Sequence, residues 1–354
     1  MKLKYYIKGE PFIGDRFYIN RSIFLSQTKQ AYISSSTNSA SNGHNSHFEI
    51  KRVIKSAIGE WIERNTLVKN KKVEQLLAFN MINGKEQLVS SDKIYLIDSG
   101  EFNDSCGIAS HLDSNSAITS AFMEFFERQS LVFSWITKKP AKIINIKCIK
   151  NNKIKDLYRK MFDFVDKIFI LDVSLHQDIH TVFVIGYGKV HKSLGLSADF
   201  DLERAIISAL EEMFQTFADS WTKTYIKEVS NNSYKNNELY MDYYRNISIE
   251  QFVDEYRFLW ENGNELDKGF YGNHKNEVDF SKSIKLVCQD LKITPYCIYI
   301  PCFFGKFKTK IVKVFSPDGY PHMYPKIFSE KETKTHFNKN ISYFPNAHRM
   351  IPFP

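Results

Sequence analysis

The chain has 354 residues, 43% of them hydrophobic and 15% aromatic, enough for one large or two ordinary domains with a substantial core. A net charge of +8 is spread over 48 basic and 40 acidic residues without a clustered Lys/Arg and aromatic motif, which argues against a nucleic-acid partner. No apolar run approaches membrane-spanning length, and five scattered cysteines give neither a disulfide framework nor a paired C-x-x-C zinc signature, so the chain reads as cytoplasmic, with no membrane partner.

In chain order, residues 47–69 read as a helix containing "SAIGEWIER". Its Ser56, Glu60, Glu63 and Arg64 share one face, among Ala57, Ile58, Trp61 and Ile62. "KIYLIDS", Lys93 to Ser99, predicts a strand, followed by a loop and a second helix from about Asn115 to Trp135. That helix repeats the spacing in "ITSAFMEFFERQS", where Ser120, Glu124, Glu127 and Arg128 form a stripe and Phe122, Phe125 and Phe126 cover the other faces. "KIFILDVS" and "TVFVIGYGKV" predict neighbouring antiparallel strands. "HKSLGLSADFD", His191 to Asp201, reads as a loop before a third helix, Leu202 to about Trp221, with Asp199 and Asp201 as candidate N-caps. This helix has a weaker stripe, Ser208, Glu212 and Gln215, with no arginine after it. Residues from about 227 to 283 form a polar helical excursion, and "ITPYCIYIP" and "KTKIVKVFSPD" predict two later strands. The class is α+β, in a single large domain over residues 1–354 whose unevenly spaced motif copies give no fixed-period repeat.

One such stripe is ordinarily a solvated helix face, with a Glu124–Arg128 pair worth about 0.3–0.5 kcal/mol. Three stripes in aromatic surroundings point instead to helices converging on one polar cavity. Carboxylates with only oxygen-bearing companions favour Mg²⁺, which completes its shell with water and phosphate oxygens, and arginine forks suit phosphate. Glutamates facing a bare triphosphate would repel it, so the pattern makes sense as a Mg²⁺–nucleotide site. A di-iron carboxylate bundle would need Glu-x-x-His pairs that these motifs lack, and no G-x-x-x-x-G-K-[ST] cradle is present.

The paired S-x-x-x-E-x-x-E-R motifs, the E-x-x-Q of Glu212 and Gln215, and the ending "HRMIPFP", whose residues 350–354 form a proline-punctuated tail, resemble the YcaO family. "DSCGIASH", "SPDGYPHM" and the final "PFP" are similar to the branch that serves as the D subunit of microcin B-type heterocycle synthetases. The resemblance implies a single YcaO-type domain acting as an ATP-dependent cyclodehydratase, which turns Cys and Ser/Thr of a ribosomally made precursor peptide into thiazoline and oxazoline on the way to a microcin-like antibiotic. It implies ATP and Mg²⁺ as cofactors, and as partners the precursor peptide, a leader-peptide-binding subunit and an FMN-dependent azoline dehydrogenase. Carried over by position, Glu60, Glu63, Glu124, Glu127 and Glu212 are the metal set, directly or through water. Ser56, Arg64, Ser120, Arg128 and Gln215 are nucleotide contacts, joined by Ser39 and Gly43 in "STNSASNGH", where the resemblance implies a small-residue loop near the nucleotide. The carboxylate of Pro354 is the candidate proton acceptor, with Arg128 and Glu127 beside the reacting phosphate. Cys106, just before the second stripe helix, reads as a small core residue and His111 as a satisfied loop histidine. Two alternatives stand beside this reading: a YcaO-type thioamide- or amidine-forming enzyme, and a catalytically silent peptide- or partner-binding scaffold.

Overall fold

The computed structural model describes residues 4–6, 16–21, 29–35, 38–47, 49–69, 74–96, 103–225, 239–272, 278–302 and 308–354. Its first sheet runs in chain order through β1 (Lys4–Tyr6), β2 (Arg16–Arg21), β3 (Lys29–Ser35) and β4 (Asn38–His47), all antiparallel. Helix α1 (Ile50–Lys69) follows β4 and lies against it. The second sheet combines β5 (Gln75–Asn80), β6 (Glu86–Ser90) and β7 (Ile108–His111) with the late strands β13 (Tyr296–Ile300) and β14 (Lys310–Phe315), in the order β6-β5-β13-β14-β7. Helix α2 (Ser114–Thr137) follows β7.

The third sheet is β11-β10-β9-β8-β12, built from β8 (Lys142–Ile143), β9 (Lys167–Asp172), β10 (His180–Tyr187), β11 (Lys192–Asp199) and the short β12 (Asn264–Glu265). Helix α3 (Asn152–Met161) precedes β9, and α4 (Leu202–Tyr225) follows β11. Thus β4, β7 and β11 are each the outermost strand of a sheet, and each leads into one of the helices that carry a polar stripe. An outermost strand leaves alternate backbone N–H and C=O groups without a ladder partner.

Local chemistry accounts for these helices. Asp113 caps α2 by accepting the Ser116 N–H at 2.8 Å, and α2 ends where Lys138 takes a left-handed conformation at φ 49°. Asp201 accepts the Arg204 N–H at 2.9 Å at the start of α4, as its candidacy as an N-cap anticipated. Fifteen residues of α2 are buried, including Phe122, Phe125, Phe126, Phe133 and Trp135, so this helix runs through the interior with its glutamates. The apolar face of α1, with Val53, Ala57 and Trp61, packs between the first two sheets, and α4 packs with α3 on the third. The described part of the 227–283 excursion is mainly helical, with α5 (Leu239–Asn246), α6 (Ile249–Tyr256) and α7 (Phe258–Glu261), but it also supplies β12 and a 3-10 turn at Lys268–Phe270 before α8 (Phe280–Leu291) begins at its end. Residues 227–238 and 273–277 of it lie outside the described residues.

The antiparallel pairing of β9 with β10 agrees with the sequence, as do the helices and the two late strands. Three segments differ. "HKSLGLSADFD" is not a loop; its Lys192–Asp199 forms β11 and pairs along the whole of β10, because Gly195 and the small residues beside it let α4 approach closely. "KIYLIDS" is not a strand where it is described: Ser91–Lys93 is a single 3-10 turn capped by Ser90, which buries Ile94 and Tyr95 without a ladder, while Ile97 to Ser99 lie outside the described residues. "STNSASNGH" is no loop from Asn38 onward but part of β4, again with a glycine against a helix; Ser36 and Thr37 lie outside the described residues. Among the described residues, no helix is long and apolar enough to cross a membrane.

Candidate active site

The first acid of each stripe is bound in the same way. Glu60 Oε2 accepts the His44 N–H of β4 at 2.7 Å, Glu124 Oε2 accepts the Ile108 N–H of β7 at 3.1 Å, and Glu212 Oε2 accepts the Leu196 N–H of β11 at 2.7 Å. Each donor lies 16 residues before its acid, and each follows a glycine: Gly43, Gly107 and Gly195. These glycines are required by close approach. A Cβ on Gly43 would lie 2.0 Å from Ala57 O of α1, one on Gly195 2.0 Å from Ala209 O of α4, and one on Gly107, at φ +71°, 2.2 Å from Val314 O.

The second position of each stripe reaches the next unit. Glu63 of α1 is hydrogen-bonded by the hydroxyl and backbone N–H of Ser110 on β7. Glu127 of α2 is bonded by the backbone N–H of Ala198 on β11. Gln215 of α4 donates to His44 O on β4 at 3.1 Å and accepts from Asn45 Nδ2 at 3.0 Å. Three strand–helix units therefore close a ring, each helix bonded to its own strand through the first position and to the following strand through the second. On β7 and β11 the two donors are two residues apart, the spacing at which a strand presents N–H groups along one edge.

The arginines complete the electrostatics. Arg64 Nη2 lies 2.6 Å from Glu60 Oε1, and Arg128 Nε lies 3.2 Å from Glu127 Oε1. Burial pushes the Glu63 carboxyl up to about 7, assisted by repulsion from Glu60 and opposed by the Ser110 bonds. Glu124 is pushed up to about 8, again by burial, with Arg128 opposing. Burial also raises Glu127 and Glu212, against the pull of Arg128. The interior is over-supplied with acid, and the physical remedy is a proton or a metal ion. Arg128 is held in its charged form by Glu127, Glu212 and Glu124 despite its burial. Its buried Nη1 has no hydrogen-bond partner among the described residues, an unusual state for a guanidinium and one that an incoming phosphate oxygen would correct.

These features fit Mg²⁺ with a nucleotide. Among the described residues no group of three His, Cys, Asp or Glu side chains forms a ready metal cage. Mg²⁺ does not need one, since it commonly takes one or two carboxylates and fills its shell with water and phosphate oxygens. Between α1 and α4 lies a polar cavity of about 260 Å³, lined by Ser56, Glu212 and Gln215 together with Asn45, Ser197 and Ser208. Ser120 is exposed on α2 and does not line it, nor do Glu60, Glu63, Arg64, Glu124, Glu127 and Arg128. Gly43 is explained by packing against α1, and the side chain of Ser39 lies outside the described residues.

The two other motifs meet behind α2. Asp104 accepts the Cys106 N–H and Sγ–H, each at 3.0 Å, and the Met323 N–H at 2.8 Å, while Lys313 Nζ donates to Asp104 O at 2.8 Å. Gln129, next to Arg128, forms a two-way amide pair with Tyr320, accepting its N–H at 2.6 Å and donating to its carbonyl at 3.0 Å. "DSCGIASH" and "SPDGYPHM" thus brace each other and α2. Burial and the Asp104 charge push the Cys106 thiol well up, so it holds its proton as a structural donor. His111 pairs with Asp113 at 2.8 Å on the surface at the end of β7.

The tail is seated in the interior. Ile351 and Phe353 are buried, Tyr256 Oη donates to Pro352 O at 2.9 Å, and the Arg128 guanidinium lies 4.7 Å over the Phe353 ring. Sequence reasoning missed the strand edges and their glycines, although a glycine 17 residues before each first acid was a readable signal.

The fold and site define a class of α+β protein in which three sheet edges hold in place the carboxylates of three helices, two of which also carry an arginine. A family model described as YcaO cyclodehydratase, ATP- and Mg²⁺-binding, matches residues 67–301, more than half of the sequence, and the chain belongs to that family. It is 28% identical over 162 residues to the microcin B17-processing protein McbD of Escherichia coli, a match spanning 41% of this chain and 40% of that relative's length. The fold is similar to that of a chain in the E. coli microcin synthetase McbBCD complex, with a TM-score of 0.75, 18% identity and full coverage of both chains. It also resembles YcaO from Methanopyrus kandleri bound with AMPPCP and Mg²⁺, with a TM-score of 0.67, 11% identity and coverage of 89% of this chain and 90% of that one.

Proposed function

We propose that the protein is an ATP-dependent peptide cyclodehydratase that forms thiazolines and oxazolines in a ribosomally made precursor peptide. The observation that carries the reading is the buried cluster of Glu124, Glu127 and Glu212 around Arg128, whose Nη1 has no partner among the described residues, with Glu63 beside Glu124 and Glu60 paired with Arg64. In this reading a Cys thiol or Ser/Thr hydroxyl of the substrate adds to the preceding amide carbonyl. The resulting oxygen takes the γ-phosphoryl of ATP and leaves as phosphate, giving the azoline, ADP and inorganic phosphate. Mg²⁺ held by the glutamates would neutralise charge on the phosphates. Arg128 and Arg64 bind and orient phosphate oxygens, and Gln215, Ser56 and Ser120 contact the nucleotide.

Ser39 and Gly43 are kept as nearby contacts, Gly43 acting through its backbone. The seating of Phe353 on Arg128 supports a role for the carboxyl group of Pro354 as proton acceptor, with Glu127 holding Arg128 in place. The named relative belongs to a synthetase with B and C subunits, a structure of which holds pro-MccB17; this supports a precursor peptide, a leader-peptide-binding subunit and an FMN-dependent dehydrogenase as partners here. A cytoplasmic location suits a consumer of ATP.

The test is the mass of the precursor peptide after incubation with this protein, its companion subunits and Mg²⁺–ATP, using the full chain and a form lacking Pro354. Loss of water at Cys, Ser or Thr with the full chain alone supports both the activity and the role of Pro354. Loss with both forms removes Pro354 from the mechanism. An unchanged peptide despite nucleotide binding turns the assignment toward thioamide or amidine chemistry, or toward a scaffold.

A further inference from the structure

The three units of the ring are unequal in one respect. Arg64 and Arg128 follow the first acid of their stripes by four residues, while the third unit has the buried Thr216 at that place. The cavity between α1 and α4 is lined on the α4 side by this arginine-free unit, and a guanidinium reaches it from elsewhere. Arg52, one turn before Ser56 on α1, lines the cavity beside Ser208 and Glu212. Its Nη2 lies 2.6 Å from Glu211 Oε2.

Glu211 also has His47 Nε2 at 3.1 Å and Lys153 Nζ at 3.0 Å, so one carboxylate faces two permanent cations and an imidazole. Glu211 is thus shared between Arg52 and Lys153 and is not given over to Arg52 alone. The Arg52 side chain is 48% exposed, which leaves much of its fork open to the cavity and solvent.

We propose that Arg52 supplies the third guanidinium of the site and contacts a phosphate group of the bound Mg²⁺–nucleotide, with Glu211 fixing the orientation of its side chain. This rests on the nucleotide reading of the site. Lys153 shares Glu211 but does not line the cavity, which makes it the control for a purely structural role.

Calorimetric titration of the full-length protein with Mg²⁺–ATP tests the proposal in wild type, R52A, R52K and K153A. The expected result is a ten- to hundredfold weaker affinity in R52A, the range of one charge-assisted contact, partial recovery in R52K, and K153A within about twofold of wild type. Equal affinity in R52A and wild type would overturn it, and so would equal losses in R52A and K153A, which would make the Glu211 cluster a brace only. Absence of Mg²⁺–ATP binding by the wild-type protein would instead remove the nucleotide reading itself, and this proposal with it.

Discussion

Replacing Gly195 by alanine is the sharpest challenge to the way the strands hold the acids. The added Cβ would stand 2.0 Å from Ala209 O and 2.5 Å from Met213 N, both backbone atoms of α4, with no side-chain end free to swing aside. Relief requires β11 and α4 to separate by roughly 1 Å, and overpacking of that kind costs about 1–3 kcal/mol. The same movement stretches the 2.7 Å bond from the Leu196 N–H to Glu212, adding about 1–3 kcal/mol for a bond to a charged acceptor. A total loss of about 2–6 kcal/mol is expected in urea unfolding, read as a lower midpoint at unchanged slope, together with weakened Mg²⁺–ATP binding. Gly84→Ala is the comparison: its φ is +71° but nothing lies within 4 Å, so only the left-handed backbone term of about 1–2 kcal/mol applies. If Gly195→Ala proves no worse than Gly84→Ala, the close-approach argument is wrong, and the shared position of Gly43, Gly107 and Gly195 has another cause.

Glu124→Gln should separate stability from function. Glu124 is pushed up to about 8, so an amide imitates its preferred neutral form; at pH 8 unfolding should change by less than about 1 kcal/mol while Mg²⁺-dependent nucleotide binding falls at least tenfold, and a large loss of stability would show that the carboxylate is structural. The pH dependence of the unliganded protein should have a stated sign. Carboxyls raised above the usual 4.5, Glu63 to about 7 and Glu124 to about 8, remove stability as pH climbs from 4.5 through those values. Glu211, lowered to about 2 by its bond to His47 and the nearby Arg52 and Lys153 charges against the effect of burial, contributes stability that is present above 4.5 and lost as pH falls toward 2. Unfolding midpoints across pH 2–9 should therefore peak on the mildly acidic side, with Mg²⁺–ATP restoring the alkaline arm; a monotonic rise to pH 9 would contradict the buried-acid account.

The stripes were legible because helical periodicity is local: four residues within nine positions define a face without knowledge of any partner. Burial of their acids was legible too, from the phenylalanines on either side of Glu124 and Glu127. The strands that hold the acids were not. Lys192–Asp199 and Asn38–His47 are rich in Ser, Asn and Gly, which ordinarily mark turns, and they become strands because a helix backbone lies against Gly195 and Gly43. In "KIYLIDS" the opposite happened: Ile94 and Tyr95 have strand-like character but are buried by a turn. Both errors share one origin, since tertiary contact overrode local preference. The Arg52–Glu211 pair joins residues 159 positions apart and has no signature in either local sequence.

The ring of strand–helix units also bears on when the site comes into being. Glu63 depends on Ser110, Glu127 on Ala198, and Gln215 on His44, so the last link joins the third unit back to the first. During synthesis, the opening unit is complete once Lys69 has emerged, yet its strand lacks the Gln215 contact until well over a hundred further residues have been made. Capture of nucleotide is in this way tied to the finished fold. A nascent or truncated chain leaves its acids in water, ionised and apart, and only the closed circle gathers them into an interior where their mutual repulsion calls for a proton or a metal ion.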